Sequence, residues 1–176
     1  MSRLAAGRAA PSVVGAAVVW AILGTVAAHA DARTDCYVKR GDAAIRACTE
    51  AIARNSRDVA SYISRAYEHY EKGEHALSLA DYAKAIEIDP TRWDAYHGRA
   101  WVYLKLGKAD DALADADAAI KVRPNTAHGL DVRAHALEAL GRREEAIADF
   151  RRALTIEPRM QGSREGLKRL EKAIGQ

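Results

Sequence analysis

Cys36 and Cys48, the only cysteines, stand twelve residues apart, and three of the histidines, His97, His128 and His135, fall within one stretch of the chain. A Cys-x-x-Cys spacing is lacking, so oxidoreductase chemistry has no support. Three arginines, Arg65, Arg99 and Arg133, are each followed sixteen residues later by a carboxylate, Asp81, Asp115 and Asp149. A partly buried guanidinium needs a carboxylate, so these pairs read as structural bridges between stacked helices. The sequence shows no nucleophile elbow, phosphate-cradling glycine loop, His-Glu-x-x-His or recognisable carboxylate-histidine spacing, and the chain is read as not an enzyme. The three histidines could approach one another across neighbouring helices, but no cysteine accompanies them; no metal and no cofactor is expected.

The elements that position these residues begin after a distinct amino-terminal stretch. Arg3 and Arg8 precede the apolar run "SVVGAAVVWAILGTVAA", and Ala28-x-Ala30 precedes Asp31. This is the pattern of a secretory signal peptide over residues 1–30, cleaved after Ala30, and it predicts a periplasmic or secreted protein. The alternative is a retained membrane anchor, although about 16 apolar residues fall slightly short of a span. Separated arginines suit the general secretory route better than the twin-arginine route. A lipid on Cys36 is not expected, because Arg33, Thr34 and Asp35 are bulky or charged. In an oxidising compartment a Cys36–Cys48 disulfide is favoured over two free buried thiols, and closing a loop of this size contributes on the order of 3 kcal/mol.

The 176 residues suffice for one domain with a real core, and abundant alanine with 29% charged residues of both signs suits a helical protein. Arg3 and Arg8 are the only charged residues before Asp31, so most of the net charge of +3 belongs to that leader. The remainder is nearly neutral. It offers no electrostatic footprint for nucleic acid or an anionic membrane surface.

Self-similarity organises the rest of the chain. Pro90, Pro124 and Pro158 stand 34 residues apart, and Gly73, Gly107 and Gly141 keep the same step. So do Ala66, Ala100 and Ala134, then Ser78, Ala112 and Ala146, then Ala85, Ala119 and Ala153. Each unit reads as two antiparallel helices, the first spanning about 59–70 and 75–88, with glycine at the inner turn and proline after the second helix. Small residues permit close approach of the backbones, and Tyr62, Tyr82, Tyr96, Leu130 and Phe150 fill the space between. Thr91 with Asp94 reads as a capping box. Tyr96, Ala100 and Tyr103 form the inward stripe of their helix, and Trp101 falls off it.

These positions resemble the tetratricopeptide repeat, whose 34-residue pattern is W-x2-L-G-x2-Y, then A-x3-F, then P. Here they read Tyr62-x2-Arg65-Ala66-x2-His69, Tyr96-x2-Arg99-Ala100-x2-Tyr103 and Leu130-x2-Arg133-Ala134-x2-Leu137. The second halves read Ser78-x3-Tyr82, Ala112-x3-Ala116 and Ala146-x3-Phe150. Arginine replaces the apolar residue of the pattern in every unit. The resemblance implies an all-α, superhelical solenoid with a C-terminal capping helix: a cap with half-repeat at 31–58, repeats at 59–92, 93–126 and 127–158, and the cap at 159–176. The segment "AAIRACTEAI" aligns with "LSLADYAKAI" and reads as a lone second helix. Met160, Leu167, Leu170 and Ile174 form the apolar stripe of the terminal helix.

The family's concave face implies a groove for a partner protein. Its contact positions fall on Ile63, Tyr67 and Tyr70 in the first unit, His97, Trp101 and Leu104 in the second, and His128, Asp131, His135 and Glu138 in the third. Tyr67, Trp101 and His135 make a row of rings; packing between adjacent first helices is the alternative reading. Members that clamp chaperone carboxylate termini carry Lys, Arg and Asn where this chain has Ile63, Tyr67, His128 and Val132, which disfavours that ligand. The expected function is that of an exported adaptor or assembly scaffold binding a peptide segment, with a homo-oligomeric module or a membrane-tethered scaffold as alternatives. No nucleic acid partner is expected, and no membrane unless the leader is retained.

Overall fold

The computed structural model describes residues 32–172, and the expected signal peptide and Ile174 lie outside them. The described residues form nine helices and no strands. Residues 32–38 are α1, followed by α2 Gly41–Arg54, α3 Val59–Glu71, α4 His75–Ile88 and α5 Trp93–Lys105. Then come α6 Ala109–Val122, α7 Ala127–Ala139, α8 Arg143–Ile156 and α9 Gln161–Lys172. From α2 to α9 each helix packs on its chain neighbours, and the first helices α3, α5 and α7 also touch in sequence, the arrangement of a solenoid. Among the described residues no helix is long and apolar enough to cross a membrane.

The inner turns have one physical solution used three times. Gly73, Gly107 and Gly141 sit at φ +76, +70 and +74, where a Cβ is strained. The next N–H then reaches back five residues, from Glu74 to His69 O at 2.8 Å, Lys108 to Tyr103 O at 2.9 Å and Arg142 to Leu137 O at 2.8 Å. These bonds satisfy carbonyls that the helix end would leave unpaired. The expected capping box does not form: the Thr91 N–H and hydroxyl both donate to Asp89, at 2.9 and 2.6 Å, and Arg92 takes Asp94 through two bonds. The local turn outcompetes the cap for the threonine. At α3 a side-chain cap does form, where Asp58 accepts the Ser61 N–H at 3.5 Å and also the Ser61 hydroxyl at 2.9 Å.

The core is a relay with no single centre. Ala66, Ala100 and Ala134 on the first helices and Ala85, Ala119 and Ala153 on the second are fully buried. Tyr82 and Val102 join α3, α4 and α5; Ala116 and Val132 join α5, α6 and α7; Phe150 and Leu170 join α8 to α9. The serine that replaces alanine in α4 is satisfied, Ser78 Oγ donating to Ala66 O at 2.7 Å. Tyr96 departs from the expected filling role: it is half-buried, with the Arg99 guanidinium 6.0 Å from its ring centre.

All three Arg–Asp bridges form, each through two bonds of 2.6 to 2.9 Å. The arginines also reach the preceding second helix, sixteen residues back. Arg65 donates to Thr49 at 2.9 Å and Arg133 to Asp117 at 3.0 Å, so one guanidinium spans two repeats. In the middle repeat Ala83 stands at the equivalent place, and Arg99 lies against Tyr96 and Tyr103.

At the amino-terminal end α1 lies against α2, the helix that residues 31–40 are expected to cover, and stands 34 positions before the last half of α3. Cys36 of α1 and Cys48 of α2 are joined as a disulfide, with Cα atoms 4.6 Å apart. At the other end Met160, just before α9, and Leu170 within it are buried, and Leu167 is half-buried.

Candidate partner-binding groove

A cavity of about 700 Å³ opens between α1, α3 and α5. Five of its lining residues are groove positions named from the sequence, Ile63, Tyr67, Tyr70, His97 and Trp101. They share a surface because helical spacing of three and four residues puts them on one face of α3 and of α5, and those two helices are neighbours. Cys36, Tyr37 and Arg40 supply a wall that the repeat pattern did not reveal, since they precede the first full unit. Tyr82 forms part of the lining as well. Its ring reaches the groove because residue 98 is glycine: a Cβ on Gly98 would stand 2.3 Å from the Tyr82 ring.

Trp101 is half-buried. Its Nε1–H donates to His97 Nε2 at 3.1 Å, and its ring lies 5.1 Å from that of His135. His135 in turn meets the fully buried Phe150 ring edge-on at 5.0 Å. One side of the tryptophan therefore packs on its own protein, while another borders the cavity. Leu104 closes a smaller hollow with Trp101, Lys105 and His135. His97 and His128 rings approach to 5.8 Å, and Trp93 lies 6.3 Å from His128. Among the described residues no group of three or more His, Cys, Asp or Glu side chains is placed to hold a metal ion.

In the third repeat Asp131 and Glu138 are engaged by α9. Asp131 is buried and accepts the Ser163 hydroxyl of α9 at 2.5 Å. Glu138 takes both arms of Arg169 at 2.7 and 2.6 Å, which holds its carboxyl below the usual range. His135 lies 3.9 Å from Asp131 and 3.7 Å from Glu138. His128 is half exposed and faces Glu157 at 3.9 Å. α9 thus covers Asp131 and Glu138, while His135 borders the smaller hollow beside Trp101.

The rings of the open half are neutral near pH 7. Burial raises the Tyr67 and Tyr70 phenols, with Glu71 adding to both. Burial, with His128 beside it, pushes His97 down to about 4. Its Nε2 must stay unprotonated to accept from Trp101. The unfolded chain binds this proton near pH 6.5 and the folded chain does not until about 4, so stability falls as pH drops through that window. We expect a loss on the order of 3 kcal/mol from this group by pH 4. Urea unfolding at pH 7 and 4.5 checks it: His97→Gln should show a shallower pH dependence than the wild type, and equal dependence would rule the assignment out.

Three tetratricopeptide repeat models match the chain, over residues 37–92, 82–114 and 127–160. The chain belongs to the tetratricopeptide repeat (TPR) family. The first TPR domain of Spaghetti (RPAP3) bound to an HSP90 peptide is similar at a TM-score of 0.65 and 23% identity, covering 69% of this chain and 97% of that one. The Arabidopsis OM64 TPR domain is similar at 0.62 and 27% identity, covering 65% and 94%. The second TPR domain of human RPAP3, in complex with an HSP70 peptide, is similar at 0.61 and 25% identity, covering 64% and 94%. No curated protein matches the chain.

Proposed function

We propose that this TPR protein is an exported adaptor that binds a segment of a partner protein between α1, α3 and α5, and that it catalyses no reaction. The observation that carries the reading is the cavity of about 700 Å³ walled by Tyr37, Tyr67, Tyr70 and Trp101. Rings of this kind give large contact area at small cost in side-chain entropy, and they rest on a stacked scaffold that needs little ordering on binding. The structural relatives bound to HSP90 and HSP70 peptides support a peptide as the ligand class. The groove itself favours a different peptide from theirs, because Ile63 and Tyr67 stand where a carboxylate clamp needs cations. An apolar or aromatic anchor suits it better. Export, after cleavage of residues 1–30, is supported by the leader pattern and by the cysteine pairing.

Affinity capture of the mature protein's partner from its own cell envelope, followed by titration with variants, tests this. Trp101→Ala is expected to weaken binding about tenfold or more, while Leu77→Ala, exposed on α4, leaves it within about twofold. A partner whose affinity ignores Trp101→Ala would remove the groove from the account.

A further inference from the structure

Over its described residues, 32–38, α1 is held on the rest of the protein by few contacts. Ala32 and Cys36 are its buried side chains, whereas Tyr37 and Val38 are 38% and 72% exposed. The apolar cluster it joins consists of Cys36, Ala47 and Cys48. The described ion pairs from α1 and the residues just after it to α3 and its cap are long: Arg33 meets Asp58 at 3.5 Å and Arg40 meets Glu68 at 3.8 Å, with both arginines well exposed and both carboxylates buried. The strong local bond, from Gly41 N–H to Glu68 at 2.6 Å, belongs to α2 and holds α2 on α3 without help from α1. Among the described contacts, the covalent link to Cys48 is the strongest hold on α1. Yet α1 and the residues just after it are the wall of the cavity, through Cys36, Tyr37 and Arg40.

From this arrangement we infer that the Cys36–Cys48 disulfide is a redox latch on the groove: closed, it holds α1 as a wall of the aromatic cavity; opened, it releases α1 from α3. The inference rests on the reading of this groove as the binding site. The reductant is a dithiol. Cys36 is 2% exposed, so attack follows a local opening of α1: the thiolate bonds to Cys36 Sγ, the S–S bond breaks, and Cys48 leaves as a thiolate that takes up a proton. The second thiol of the reductant, as its thiolate, then displaces Cys36, which is protonated in turn. Two electrons and two protons have passed to the protein, and the dithiol has become a disulfide. An occupant of the cavity that holds α1 shut opposes that opening, so partner binding and the closed latch favour each other.

Amide hydrogen exchange on the mature protein, oxidised and after treatment with dithiothreitol, reads the latch directly. With two free thiols per chain confirmed by titration, exchange over residues 32–40 is expected to quicken at least tenfold while α5 to α8 keep their protection. The Cys36→Ser/Cys48→Ser double variant is expected to show the same pattern without reductant. Unchanged exchange over 32–40 in either protein overturns the inference. So does loss of protection throughout, or failure of the double variant to fold, either of which makes the disulfide a staple of the whole fold. Exchange needs no partner, so the two readings fail separately: an immobile α1 sinks the latch, and a groove that binds nothing when oxidised sinks the binding function.

Discussion

Phe150→Ala is expected to lower the unfolding free energy by about 3–5 kcal/mol, the cost of deleting a fully buried ring and leaving its volume empty. The ring is 0% exposed, packs with Leu137 and Leu170, and occupies the space above Gly166, where a Cβ would come within 2.3 Å of it. That close fit leaves little freedom to collapse around the hole, since backbone of α9 lies on the other side. The loss is a large share of the stability of a domain this size. It should also reach the groove, because Phe150 supports His135 and His135 supports Trp101. Urea unfolding with Trp fluorescence checks both effects. A change below about 1.5 kcal/mol would mean that α8 and α9 repack freely around the vacancy.

The second large effect concerns the middle bridge. Asp115→Ala leaves the Arg99 guanidinium, 20% exposed, without its two carboxylate bonds, and Ala83 offers no replacement. A loss of about 2–3 kcal/mol is expected, somewhat below the value for a fully buried pair broken on one side. Arg99→Met combined with Asp115→Leu should recover most of that loss, because no charge is then stranded. The equivalent single change Asp149→Ala should cost less, since Asp117 still holds Arg133. Chemical denaturation of the four proteins tests the ordering; equal losses at Asp115 and Asp149 would show that the second partner contributes nothing.

The repeat made much of the fold legible. Glycine at 73, 107 and 141 marked the turns because a left-handed residue is required there, and the Arg–Asp spacing of sixteen marked the bridges because two helices and a turn always bring those positions together. The groove positions of the first two units were legible for the same reason. Thr91 misleads, because a capping motif in sequence cannot show that Asp89 competes for the same hydroxyl. Gly98 looks like an ordinary small residue, and only its contact with Tyr82 shows that the gap forms part of the cavity.

By itself the sequence determined the all-α repeat architecture, the helix pairs, the small-residue contacts and the arginine ladder, since each depends on interactions that recur at a fixed step. The tertiary structure alone decided which part of the concave face is open. That depends on α1 and α9, the two segments outside the full repeats. Disulfide-held α1 adds a wall beside α3, while Ser163 and Arg169 of α9 engage Asp131 and Glu138. A periodic pattern carries no information about such ends, because their partners are fixed by burial and charge pairing between residues that have no counterpart one repeat away.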